Sequence, residues 1–154
     1  MNIELCDSTG PIIGVVAAPL SNLIYAGAMG KDFSIYQLNG TSIKTIHSNT
    51  IKKPYRLVTS CDEQGELEDL LPPGIHTTDV IASPVSGALK FCKIALGEAK
   101  IHSRTGTYME WDCAAGNAIL RSIGLEVYNR HTHRRLRYNS RDLKVHGLYT
   151  SKVL

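Results

Sequence analysis

No stretch of this 154-residue chain approaches the roughly 18 to 20 consecutive apolar residues a membrane helix needs, because Pro11, Pro19 and Gly27 break up its most apolar region. A membrane-spanning helix is therefore not expected. Met1-Asn2-Ile3-Glu4 has no basic segment followed by an apolar one, so no secretory signal is read and a cytoplasmic address is expected. The four cysteines, Cys6, Cys61, Cys92 and Cys113, form no C-x-x-C pair. That excludes the look of a disulfide framework and leaves free thiols in a reducing compartment. Internal repeats and low-complexity tracts are also lacking. Neither sign of charge dominates: 17 Lys+Arg against 14 Asp+Glu give +3, too little to select a partner class.

What is there reads as a folding chain. Hydrophobic residues make up 43% and charged residues 20%, close to globular averages, and the length suits one domain or two small halves sharing a core. Asn2 to Leu38 reads as an antiparallel meander: Asn2 to Leu5, the turn Ser8-Thr9-Gly10-Pro11, the apolar run Ile12 to Ala18, then Asn22 to Ala26 and Phe33 to Leu38. The Ile12 to Ala18 run is nearly continuous, which predicts a strand buried on both faces. The polar stretch Asn39 to Pro54 reads as a connection. After it, strand signals at 55–60, 75–82, 99–103, 125–128 and 147–150 alternate with helix signals at 65–71, 85–96 and 112–123. The expected fold is thus α/β, an α+β layered sandwich: an antiparallel remnant over residues 1–54 and a mixed or parallel α/β unit over residues 55–154.

Met109-Glu110-Trp111-Asp112-Cys113-Ala114-Ala115-Gly116 is the most informative run. Asp112 stands before an Ala-rich helix, where its carboxylate suits an N-cap and also suits a Mg²⁺ ligand, a hard cation that prefers oxygen. The two roles are compatible. Cys113 reads as a small buried residue rather than a nucleophile. Lys90 reads as a surface lysine on an amphipathic helix. Arg130-His131-Thr132-His133-Arg134-Arg135-Leu136-Arg137 reads as a solvated hairpin tip, with nonspecific polyanion contact as the alternative. Nucleic acid and membrane are not expected partners.

Glu110 to Gly116 resembles the E-W-D-x-A-A-G signature of the inositol monophosphatase superfamily, in the form of the bacterial 3'(2'),5'-bisphosphate nucleotidases of the CysQ type. Gly14-Val15-Val16-Ala17-Ala18-Pro19, Leu57-Val58-Thr59-Ser60, Gly65-Glu66-Leu67-Glu68, Leu89-Lys90-Phe91-Cys92 and Tyr138-Asn139 are similar to family stretches in the same order. The resemblance implies a Mg²⁺-dependent phosphomonoesterase that converts adenosine 3',5'-bisphosphate to AMP and phosphate. It implies Asp112 as a metal ligand, Arg104 as a contact near the sugar or base, and Ser86-Gly87-Ala88 as a turn presenting amides to substrate. Lys90 would be within reach of a substrate phosphate.

The family's G-E-E and D-P-x-D-G-T motifs, which supply most of its metal ligands, are not in this sequence. The family histidine after L-V-x-S-R-S is also missing from Thr59-Ser60-Cys61-Asp62, and the family's G-P-T is Gly106-Thr107-Tyr108 here. The expectation is a truncated or split nucleotidase with no complete catalytic set, inactive alone. It would expose an apolar sheet face and an unpaired edge, and would therefore meet an N-terminal partner chain or form a homo-oligomer. A noncatalytic nucleotide or polyanion-binding module is the competing reading.

Overall fold

The computed structural model describes residues 1–43, 52–63 and 65–153. Much of the connection expected over residues 39–54, including Lys44, lies outside the described residues. The first sheet is the expected meander: β1 (Asn2–Asp7), β2 (Gly10–Ala18), β3 (Leu23–Ala28), β4 (Ser34–Gln37) and β5 (Ser42–Ile43), each antiparallel to the next. The second sheet contains β6 (Tyr55–Thr59), β7 (Val80–Pro84), β8 (Ile101–Met109), β9 (Tyr128–Asn129) and β10 (Lys144–Ser151), in the order β7-β6-β8-β10-β9. Within it β6 runs parallel to β7 and β8, whereas β8–β10 and β10–β9 are antiparallel. The mixed α/β layer expected from the alternating signals is present.

Helices α1 (Leu67–Leu70), α2 (Leu89–Leu96) and α3 (Glu110–Ser122) complete the described elements. On one side α3 packs against β1, β2 and β3, and on the other against α2 and β8. One apolar core therefore joins Val16, Tyr25 and Ile35 of the first sheet to Phe91, Ile94, Ile119 and Leu148. Bare backbone permits this close approach. A Cβ on Gly14 would stand 2.1 Å from the Ala115 carbonyl oxygen, one on Gly27 would stand 2.8 Å from Ile119 Cα, and one on Gly116 would meet the Phe91 ring at 2.3 Å.

Several boundaries differ from the sequence reading. The segment 75–82 begins with a 3-10 turn over Thr77–Asp79 before β7 starts at Val80; polar turn chemistry outweighs the β-branched composition there. Helix α2 starts at Leu89 rather than Val85, because Gly87 takes a left-handed φ of +57° and turns the chain. The strand expected at 125–128 shrinks to Tyr128–Asn129: the Leu125 amide donates to Leu120 O at the end of α3, and Val127 O accepts from Leu136.

Two further expectations need correction, one of burial and one of capping. Strand β2 is buried where Gly14, Val16 and Ala18 face the helices, but Ile13 on the other face is 44% exposed. Its neighbours there, Leu5 opposite Ile13 and Ile3 opposite Val15, are 53% and 56% exposed. The apolar face is bare around Ile3, Leu5 and Ile13, whereas Ala17 farther along it is buried, and β1 forms the edge. Asp112 is not the N-cap of α3. The helix begins at Glu110, and Asp112 at its third position accepts the Met109 amide at 3.2 Å, the reciprocal half of a capping box.

Candidate functional site

The parallel strands β6 and β7 end at one rim, and a crevice beyond the carboxyl ends of such strands is where open α/β sheets bind ligands. Ser60 follows β6 directly, Val85 to Ala88 follow β7, and β8 carries Arg104 two residues beyond His102, which pairs with Val58. Two cations meet here. Lys90 Nζ and Arg104 Nη1 both donate to Ser60 Oγ, at 3.1 and 2.7 Å. They arrive from different elements, α2 and β8.

Lys90 is not a surface lysine: it is 2% exposed, and its ammonium also donates to Val85 O at 3.1 Å. The amphipathic pattern of α2 misled because Phe91, Cys92, Ile94 and Ala95 are buried as well, so the helix is enclosed around most of its circumference. Burial, and then the neighbouring Arg104 charge, hold the Lys90 ammonium below the usual lysine range.

Arg104 is held on every side. Its Nη2 donates to Asp62 at 3.2 Å, and its Nε stands 3.4 Å from Glu63 Oε2, an ion pair that falls short of a hydrogen bond. Its guanidinium carbon lies 4.0 Å from the centre of the Tyr108 ring. Burial pulls its proton affinity down, but Tyr108, Asp62 and Glu63 more than offset this and raise it. Glu63 also accepts from the amide of Thr105 at 2.9 Å and from its hydroxyl, which ties the segment after β6 to β8. The side chain of Asp62, by contrast, is 73% exposed.

His102 lies beneath the cations, wholly buried, with Phe91 edge-on to its ring at 4.8 Å. Burial first and Lys90 second push its pKa down to about 3, so the ring is neutral at physiological pH. Nδ1 faces Val58 O at 2.9 Å and must carry the hydrogen, leaving Nε2 as a buried lone pair without a hydrogen-bond partner.

The remaining sequence-predicted residues sit around this pair. Ser86 joins it through Cys61, whose sulfur lies 3.8 Å from Ser86 Oγ. Ser86, Gly87 and Ala88 line a cleft of about 290 Å³ with Met1, Val16 and Leu89. Asp112 lies at the start of α3. Cys113, buried as expected, is pushed upward by burial and then by Asp112, and downward by Lys90 and Arg104, so all three charges act on one sulfur. Burial and the Asp112 charge raise the Glu4 carboxyl. Among the described residues, no group of three His, Cys, Asp or Glu side chains could hold a metal ion. The donor set among the described residues does not complete a Mg²⁺ site.

Sequence reasoning missed Ser60, Glu63, His102 and Tyr108, which lie scattered over 49 positions and meet only because β6 and β8 pair. Two signals could have found Ser60: its place in the family-like stretch Leu57-Val58-Thr59-Ser60 and its position at the end of a parallel strand. Glu110 was missed too. Its buried carboxylate accepts from the Asn139 amide at 2.6 Å and the Ser140 amide at 2.9 Å, and from the Ser140 hydroxyl, pinning the 139–140 loop to the helix that carries Asp112. The basic turn at residues 131–135 is exposed, as its solvated reading expected.

Residues 2–152 match the inositol monophosphatase family. The 3'(2'),5'-bisphosphate nucleotidase CysQ of Escherichia coli (strain K12) is 35% identical over 130 residues, 84% of this chain and 50% of that protein. The crystal structure of CysQ from Bacteroides thetaiotaomicron superposes with a TM-score of 0.80 at 25% identity, covering 97% of this chain and 61% of that one. The Pyrococcus horikoshii protein PH1897, described as having similarities to inositol-1 monophosphatase, has a TM-score of 0.68 at 19% identity, covering 92% and 52%; that likeness concerns the fold alone. The chain spans about half the length of the curated relatives it matches. Among the described residues no helix is long and apolar enough to cross a membrane.

Proposed function

Because this chain belongs to the inositol monophosphatase family, we propose that it carries the phosphate-recognition part of a 3'(2'),5'-bisphosphate nucleotidase centre. The ligand is adenosine 3',5'-bisphosphate, which the complete centre converts to AMP and phosphate. One observation carries the reading: Lys90 and Arg104, from separate elements, converge on Ser60 at the rim of the parallel strands. Two cations on one hydroxyl repel each other; Asp62 and Glu63 offset part of that cost at Arg104. The buried Lys90 ammonium donates to neutral acceptors, Ser60 Oγ and Val85 O, so a bound phosphate relieves the remainder through charge-assisted hydrogen bonds. Asp112 contributes one ligand to a Mg²⁺ site that this chain does not complete, since the ion takes one or two carboxylates plus substrate oxygens.

The isolated chain is accordingly inactive. The bare face around Ile3, Leu5 and Ile13 supports a polypeptide partner, and the occupant we assign is a segment corresponding to the part of the relatives that this chain does not span. Self-association of this chain through the same face is the competing outcome, which light scattering distinguishes. The test of the ligand is calorimetric titration with adenosine 3',5'-bisphosphate and AMP, without metal. Saturable binding that an Arg104→Ala change weakens at least tenfold is expected. Absence of saturation, or indifference to the change, overturns the reading. Turnover of the bisphosphate by the purified chain with Mg²⁺, at a rate ordinary for a phosphatase, overturns the inactivity.

A further inference from the structure

The Ser60 hydroxyl meets three polar neighbours, Lys90, Arg104 and Tyr108. A serine hydroxyl has one hydrogen and two lone pairs. Lys90 and Arg104 have no acceptor atoms on these groups, so both must donate, and together they occupy both lone pairs of Ser60 Oγ. The third neighbour of that oxygen is Tyr108 Oη, at 3.2 Å. Tyr108 cannot donate to an oxygen whose lone pairs are taken. Ser60 therefore donates to Tyr108, and the phenolic hydrogen of Tyr108 is turned away from Ser60. Its other polar neighbour, the Arg104 guanidinium, is itself a donor and offers that hydrogen no acceptor. The residue is only partly buried and its ring is clamped beneath the Arg104 guanidinium, which holds the hydroxyl beside Ser60.

We propose that Tyr108 is a ligand-binding residue of this site, donating its outward hydroxyl hydrogen to an oxygen of the phosphate held by the Lys90–Arg104 cluster. The chain of donors runs from the two cations through Ser60 to Tyr108, and each donation polarises the next. Its end is a neutral but strengthened donor, suited to a phosphate-monoester oxygen. The inference rests on the reading of Lys90 and Arg104 as a phosphate site, and it gives a role to Tyr108, which stands at the last position of the family's G-P-T.

The test uses the whole chain with ¹³C-labelled tyrosine, titrated without metal with inorganic phosphate and with AMP. The Tyr108 resonance, assigned by its loss in Tyr108→Phe, shifts along the same saturation curve that calorimetry gives. Tyr108→Phe keeps the ring under Arg104 and removes only the hydroxyl. It weakens both ligands by about tenfold or more, the usual effect of losing one hydrogen bond to a charged group, while the unfolding midpoint falls by only about 2–6 °C, because the Ser60 hydroxyl loses its acceptor but no core packing is lost. Unchanged affinity in Tyr108→Phe, with Arg104→Ala still abolishing binding, overturns the role of Tyr108 and leaves the phosphate site standing. Phosphate binding that depends on Tyr108, without binding of either nucleotide, upholds Tyr108 and refutes the nucleotide reading. No binding of any probe overturns both. Should the phenylalanine variant fold poorly, the wild-type Tyr108 shift decides: a resonance unmoved at saturating ligand refutes the proposal.

Discussion

Replacing Gly14 by alanine is the sharpest test of how α3 is seated. The added Cβ would stand 2.1 Å from the Ala115 carbonyl oxygen and 2.8 Å from Ala118 Cβ. Real Cβ contacts do not fall below 3.0 Å, so strand and helix must part by about 0.9 Å, the difference between 3.0 and 2.1. The obstacle is backbone on both sides, and no side chain can rotate away. A radial gap of 0.5–1 Å forfeits about a quarter to a half of each affected dispersion contact, and α3 spans β1, β2 and β3 along that interface. We expect a loss of about 3–5 kcal/mol, at or above the upper end of ordinary overpacking. In a domain of this size that lowers the unfolding midpoint by roughly 6–20 °C. Thermal unfolding followed by circular dichroism reads it. A midpoint within 2 °C of wild type would show that α3 is not seated on bare backbone, and the packing argument would be wrong.

Two further outcomes follow from the same contacts. Glu110→Ala strands two backbone amides and a hydroxyl that the carboxylate accepts; a loss of about 2–4 kcal/mol is expected, read as a fall in the urea midpoint at constant slope, and a change below about 0.5 kcal/mol would exclude the pinning role. His102, held near 3 by burial, is neutral when folded and protonates at about 6.5 when unfolded. The unfolded state therefore binds the extra proton between these values, so stability is full above about 6.5 and declines as pH falls toward about 3, by up to about 1.4 kcal/mol per unit. His102→Asn retains a donor toward Val58 O and removes the titration. A wild-type slope no steeper than that of the variant across this window would contradict the assignment.

The elements were legible where periodicity and punctuation agree. The meander of β1 to β4 follows from short apolar runs between glycine and polar turns, and α3 from its small apolar stripe ending before Gly124. Elements failed to read where backbone groups were claimed by something outside the segment, as at Leu125 to Val127, whose polar groups serve the end of α3 and Leu136. Lys90 was the most instructive error. Composition prices a lysine as a surface residue, and only the convergence of Ser60 Oγ and Val85 O on its ammonium makes 2% exposure tolerable.

Sequence by itself determined the family, through residues 110–116 and their companions in order, and it located Asp112, Arg104 and the Ser86-Gly87-Ala88 turn as candidates. It also determined which family carboxylates are not among the residues of this chain. Tertiary structure alone decided that Lys90 and Arg104 share one hydroxyl, that Asp112 serves as a capping-box partner, and that Tyr108 Oη lies 3.2 Å from that same hydroxyl. The physical reason is that periodicity encodes which face of an element avoids water, whereas a hydrogen-bond network depends on angstrom-scale distances between residues that strand pairing brings together from far apart in the chain.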